Sequence, residues 1–125
     1  MKIKNYAIFI FILALIIRLI SVFYLKVNIV DDFKTMYEAS RDLIVHNLEF
    51  LKSSYFKIFS YQLGHVLYQG ALLKIINSVL FLKIVNSLVT SFIVLFIYLI
   101  SKKLFSEKTA RCVSLLYLFF LYPIY

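Results

Sequence analysis

Hydrophobic positions fall along this chain in two ways, as long unbroken runs and as a helical stripe, and the two patterns predict different elements. Tyr6 to Leu25 is a run of 20 residues with Arg18 as its only charge. As a helix rising about 1.5 Å per residue it covers about 30 Å, the thickness of a bilayer's hydrocarbon core. Ile84 to Ile100 is a second run, 17 residues without a charge, bracketed by Lys83 and by Lys102 and Lys103. Both predict transmembrane helices. Asn86, Ser87, Thr90 and Ser91 gather in the first half of the second run, and in lipid such groups seek partners on neighbouring helices, so that half is expected to face protein. Cys112 to Tyr125 is apolar for 14 residues. That is about 21 Å as a helix, which predicts a third, truncated span.

The segment from 26 to 83 carries the stripe. Phe33, Met36, Tyr37, Ser40, Leu43, Ile44, Asn47 and Leu48 recur at alternating spacings of three and four, while Lys34, Glu38, Arg41, Asp42 and Glu49 fall elsewhere. Lys34 and Glu38, four apart, add a small ion-pair contribution. The pattern predicts an amphipathic helix lying along the membrane surface. Leu51 to Ser60, with its Ser-Ser pair and many aromatics, reads as a connecting turn. Leu63 to Leu82 is apolar enough to cross, but only Lys83 separates it from the second span, and an antiparallel return needs about 2 to 8 residues. A second interfacial helix, ending near Asn77 and Ser78, is therefore expected. Tyr61, Tyr68 and Lys74 suit that depth.

Composition strengthens the membrane reading. Hydrophobic residues make up 63% of the chain and the mean hydropathy is +0.92, whereas soluble domains are roughly half apolar. The expected class is an all-α integral membrane protein with two full spans, a truncated third, and interfacial helices in the first outer loop. A net charge of +8 would suggest nucleic acid or anionic lipid as a partner, but its placement decides otherwise. Lys2 and Lys4 precede the first run, and Lys102, Lys103, Lys108 and Arg111 lie in the turn at 101–111. The positive-inside rule then puts the N-terminus and that turn in the cytoplasm, the loop at 26–83 outside, and the lipid bilayer rather than nucleic acid as partner. The first run is longer than the roughly 7 to 15 residues of a signal h-region and no A-x-A-like site follows it, so a retained helix is expected. Cys112 is the only cysteine, which excludes an internal disulfide and reads as a small packing residue.

The candidate chemistry starts at the densest acidic position, "NIVDDFKTMYEASRDL". Asp31 and Asp32 have two readings that are compatible with each other. An Asp at a helix start caps N–H groups and suits the positive end of the helix dipole. A carboxylate held by a rigid helix just beyond a span also serves as a general base toward an acceptor hydroxyl at the bilayer surface. Arg18, near the outer end of the first span, either snorkels to the interface or belongs to a site. Gln62, His65 and Gln69 either make interfacial hydrogen bonds or line a cleft. His46 and His65 are too isolated to make a metal site, since metals need about three or four converging ligands. Gly64 and Gly70 allow close approach of helices. No phosphate loop, nucleophile elbow or dinucleotide fingerprint occurs.

In their order, "IIRLI", "DDFKTMYEA", "SYQLGHVLYQGALLK", "LKIVNSLVTSFIVLFIYLISKKLF" and "EKTARCVSLLYLFFLYP" resemble the opening of GT-C superfamily membrane glycosyltransferases, in the branch of protein mannosyltransferases and aminoarabinose transferases. The resemblance implies transfer of a sugar from a polyprenyl-phosphate carrier to an acceptor on the outer face of a bacterial plasma membrane. It matches Asp32 first, and Asp31 second, to the family's proposed catalytic base, and it makes Arg18, Gln62 and His65 candidates for substrate binding. Complete members have many more spans and later loops, and can use a divalent metal. This chain is accordingly expected to be an N-terminal portion, inactive alone, with no cofactor of its own and the remaining spans of a split enzyme as its partner. The competing expectation is a small membrane protein that acts by helix association without chemistry.

Overall fold

The computed structural model describes residues 3–24 and 31–119, with side chains from Asn5 onward. The expected end of the first span at Leu25, the first loop residues 26–30 and the last part of the third run, 120–125, lie outside the described residues. Among the described residues every regular element is helical: α1 (Ile3–Tyr24), α2 (Asp31–Ile44), α3 (Ser54–Ile58), α4 (Leu63–Ile75), α5 (Val79–Leu104) and α6 (Glu107–Leu118), with 3₁₀ turns at Glu49–Lys52 and Ser60–Gln62. Two helices are long and apolar enough to cross a membrane, Asn5–Tyr24 within α1 and Val79–Leu104. Only 33% and 22% of their most apolar windows are buried inside the chain. The core helix of a soluble protein would be mostly covered. Here Ile8, Ile12, Ile16 and Ile20 form an exposed apolar row four residues apart along α1.

Element limits differ from the sequence reading in three places. α5 begins at Val79 rather than Ile84, because Leu80, Phe81 and Leu82 extend the apolar run and Lys83 is itself a good helix former. The turn expected over 101–111 contracts to Phe105 and Ser106, since α5 continues to Leu104 and Ser106 caps α6, its Oγ accepting the Thr109 N–H at 3.3 Å. Leu51–Ser60 is not a plain turn: Ser53 caps α3 by accepting the Phe56 N–H at 3.5 Å, so the Ser-Ser pair starts a helix. α4 stops at Ile75, and an extended Ile76 (φ −138°, ψ 110°) separates it from α5.

The chain divides into two compact units. One contains α1, α5 from Lys83 onward, and α6. Its core is Tyr6, Ile10 and Ala14 from α1, Val94 and Tyr98 from α5, and Ala110 and Leu118 from α6. The ring pairs Tyr6–Tyr98 (4.8 Å) and Phe11–Phe92 (4.7 Å) run in opposite chain order, so α1 and α5 are antiparallel. A polar knot closes one end. Tyr98 donates its hydroxyl to Glu107 Oε1 at 2.9 Å, Arg111 Nε donates to the same oxygen at 3.0 Å, and Lys102 Nζ stands 3.9 Å from Oε2. The Arg111 guanidinium also lies 4.9 Å over the Tyr6 ring, and the Tyr6 hydroxyl is 3.2 Å from Ser114 Oγ. Sequence reading did not single out Glu107; a serine cap followed at once by an acid was the available signal.

The second unit is α2 to Leu82, built on the packing of α2 against α4. Met36, Ala39, Phe56 and Val66 form its core, with Leu43, Phe50, Tyr55 and Leu63 around them. Fully burying a side chain such as Phe56 or Val66 contributes roughly 1.5–3 kcal/mol over leaving it in water. The buried stripe is narrower than the sequence face: Phe33 and Leu48 stay exposed, and the small Ala39 takes a central place. Gly70 is what lets the helices approach, because a Cβ there would lie 3.0 Å from Leu43 Cδ2 and 3.6 Å from the Ser40 carbonyl oxygen. Around Gly64 a Cβ would meet nothing within 4 Å. α2 ends in a Schellman motif, with the Asn47 N–H on the Asp42 oxygen (2.9 Å), the His46 N–H on the Leu43 oxygen (3.2 Å) and His46 at φ 59°.

Two predictions follow from this packing. Gly70→Val should destabilise the chain by about 1–3 kcal/mol through overpacking, while Gly64→Ala should be neutral or stabilising by up to about 1 kcal/mol, read by chemical denaturation of the purified chain in detergent. The second concerns Glu107. Burial pushes its pKa up, but the hydrogen bonds from Tyr98 and Arg111 and the charges of Arg111 and Lys102 outweigh this and hold it below the ordinary carboxylate value. A depressed folded-state pKa gives stability that is full above the unfolded value, about 4.3, and is lost as pH falls through the folded one. Thermal unfolding followed by circular dichroism should therefore show a midpoint that drops below about pH 4.3 in the natural chain and a smaller acid drop in Glu107→Gln.

Candidate active site

The polar residues singled out in the sequence meet in the second unit. Asp31 and Asp32 occupy the first turn of α2, exposed, where their charge suits the helix's positive end. Asp31 has φ 52°, a left-handed conformation that costs a non-glycine residue roughly 1–2 kcal/mol and that Asp tolerates better than most. The Thr35 hydroxyl donates to the Asp31 carbonyl at 3.3 Å, tying the strained residue to the next turn.

Asp32 has a neighbour that the sequence reading missed. Tyr55, from α3, donates its hydroxyl to Gln62 Oε1 and lies within electrostatic reach of the Asp32 carboxylate. Its ring is held edge-on to Phe56 (5.1 Å) and tilted against Phe59 (5.1 Å), so the hydroxyl is presented from a packed aromatic cluster. Burial first, then the Asp32 charge, pushes the Tyr55 phenol above its ordinary pKa, with the Gln62 hydrogen bond opposing. The aromatic density of Leu51–Ser60 was the visible signal, but sequence alone did not show which ring faces the acid.

Gln62 and His65 begin a second line of contacts. His65, one turn into α4, places Nε2 2.9 Å from Gln69 Nε2, and the other end of that amide accepts from Ser40 Oγ at 3.2 Å. Ser40 is completely buried, and its hydroxyl has the Met36 oxygen (2.7 Å) and the Val66 oxygen (3.2 Å) as further acceptors. Desolvation pushes the His65 pKa down, which keeps its imidazole neutral at pH 7. The geometry thus brings together Asp32, Tyr55 and Gln62, with His65 linked through Gln69 to the α2–α4 seam.

Arg18 belongs to the other unit. It is wholly buried within the chain. The hydroxyls expected to seek neighbouring helices turn back on their own: Ser87, Thr90 and Ser91 donate to the carbonyls of Lys83, Asn86 and Ser87 at 2.8, 2.8 and 2.6 Å. All three are buried. No group of three or more His, Cys, Asp or Glu able to hold a metal ion occurs among the described residues. Asp31 and Asp32 alone do not make the donor set a divalent metal needs, and no step is routed through one.

No protein-family model matches the chain, and neither a curated protein nor a solved structure is detectably similar to it. The site therefore rests on its own geometry. If Asp32 faces the Tyr55 phenol, Asp32→Asn should move the Tyr55 titration toward its ordinary value near 10, read from the pH dependence of a ¹³C-labelled tyrosine signal. An unchanged titration would separate the two groups.

Proposed function

We propose that the chain supplies the acceptor-activating part of a membrane glycosyltransferase that draws on a polyprenyl-phosphate-linked sugar. The observation that carries this reading is the Asp32 carboxylate, exposed on the first turn of a packed helix, with the Tyr55 hydroxyl anchored on Gln62 beside it. A general base needs a carboxylate open to substrate, and the exposure of Asp32 on the first turn of α2 supports that role. The basic residues at either end of the apolar helices favour a cytoplasmic N-terminus, which would put Asp32 on the outer face of a bacterial plasma membrane.

In the proposed reaction an acceptor hydroxyl attacks the anomeric carbon of the carrier-bound sugar. The new C–O bond forms as the bond to the carrier phosphate breaks, the electron pair leaves with polyprenyl phosphate, and the hydroxyl proton passes to Asp32. Tyr55 and Gln62 act as positioning residues that set the direction of the carboxylate. Helix association without chemistry loses one support it had in the sequence, because the α5 hydroxyls that would join another chain are buried and bonded to their own helix.

Asn keeps the capping ability of Asp but not its basicity. In membranes carrying the chain together with any remaining spans of the enzyme, Asp32→Asn should lower sugar transfer by about 10²–10⁴-fold, with Asp31→Asn affecting it less. Full transfer by the double Asn variant, or labelling of a cysteine at position 32 only from the cytoplasmic side, overturns the proposal.

A further inference from the structure

Among the described residues Arg18 is a charge without a counter-charge. It is completely buried, and its Nε, Nη1 and Nη2 have no hydrogen-bond partner among the described residues. The chain has six acidic side chains, and Glu107 is the one in the unit that contains Arg18. It is held by Tyr98, Arg111 and Lys102. A guanidinium does not deprotonate in a protein, so loss of the proton offers no escape. The antiparallel ring pairs put Arg18 level with residues 85–86 of α5, next to the stretch that holds Ser87, Thr90 and Ser91. Those hydroxyls spend their protons on backbone carbonyls and offer lone pairs but no negative charge. Tyr117 of α6 is within electrostatic range, and its side chain is a phenol rather than a carboxylate.

We propose that Arg18 is an anion site whose ligand is the phosphate of a lipid. The inference rests on the membrane placement proposed above and names the part of the carrier that this residue would hold. Arg18 lies about 9 Å along the helix axis from the α1 end at Tyr24, among apolar residues. A hydrated free anion does not enter hydrocarbon at that depth, whereas a lipid phosphate arrives on its own apolar chain. The planar fork of donors fits two phosphate oxygens at once, and three unsatisfied nitrogens supply the hydrogen bonds. Binding turns the guanidinium from its buried position toward the Tyr24 end of the helix. In the proposed reaction the same phosphate is the leaving group, so a fixed cation there stabilises the charge that develops on it.

The test uses the full chain in phosphatidylcholine nanodiscs and needs no sugar or turnover. The probes are polyprenyl monophosphate, the uncharged polyprenol, phosphatidylglycerol and inorganic phosphate, read by ³¹P NMR and by the thermal midpoint in circular dichroism. Polyprenyl monophosphate should raise the midpoint and show a shifted ³¹P signal, Arg18→Gln should weaken its binding at least tenfold, and Arg18→Lys should weaken it less. A preference for polyprenyl monophosphate over phosphatidylglycerol assigns the site to a carrier, and equal binding assigns it to bulk headgroups; both support a lipid-phosphate site. Equal binding of polyprenol, equal binding by Arg18→Gln, or a response to inorganic phosphate alone overturns it. So does an Arg18-dependent dimer insensitive to lipid phosphate, which would give the guanidinium a carboxylate on another chain. If Arg18→Gln does not fold, the polyprenol comparison and Arg18→Lys still decide. Loss of binding leaves the Asp32 assignment untouched, and normal sugar transfer by Asp32→Asn leaves this site untouched.

Discussion

Glu107 is the sole acidic side chain in the unit that contains α1, α5 and α6, and the order of that unit depends on where its charge goes. It accepts from Tyr98 of α5 and from Arg111 of its own helix, and Arg111 in turn covers Tyr6 of α1. Three helices are thus indexed by one carboxylate at one end. Apolar packing along the helices is permissive by comparison. Helices lined with Ile, Leu and Phe slide and rotate against one another at small cost, whereas a charge-assisted hydrogen bond tolerates only a narrow range of distance and angle.

The same logic separates the two ends of that unit. Around Glu107 two hydrogen bonds reach Oε1 and Lys102 stands 3.9 Å from Oε2, while among the described residues the three Arg18 guanidinium nitrogens have no hydrogen-bond partner. Of the buried side-chain polar atoms without a hydrogen-bond partner among the described residues, three belong to Arg18 and one is Glu107 Oε2, so the unmet demand falls mainly on the guanidinium. In the second unit the corresponding asymmetry is smaller in energy and larger in accessibility: Asp32 is exposed, and its charge acts on the Tyr55 phenol that the aromatic cluster carries.

Much of the helical content could be read from the sequence, because runs and stripes are one-dimensional signals. The two long apolar helices follow from uninterrupted hydropathy at 6–25 and 84–100, and α2 from the three-and-four spacing that starts at Phe33. What escaped were facts of pairing. Gly64 and Gly70 looked alike in the sequence as points of close approach, and Ala39 looked inconspicuous, yet only Gly70 and Ala39 sit at the α2–α4 contact, because small size matters only once the opposing helix is known. Tyr55 could not be told from the nine other tyrosines until α3 turned it toward Asp32. The caps at Ser53 and Ser106 were in principle visible, but a serine marks a helix start only when the next residues continue the helix. The Asp31–Asp32 pair was conspicuous from the outset, and its partners were not.

The length of α5 carries a consequence of its own. At 26 residues it is about 39 Å long, some 9 Å more than the hydrocarbon layer it would cross. A rod longer than its slab must lean, thicken the slab or project from it, and the two ends of α5 are unequal candidates for projecting. Val79 to Leu82 is apolar and resists leaving oil, whereas Lys102 and Lys103 seek water. For a helix of this length and composition, bilayer thickness would become a variable that acts on the lysine-bearing end, and the helix would gauge the membrane it crossed.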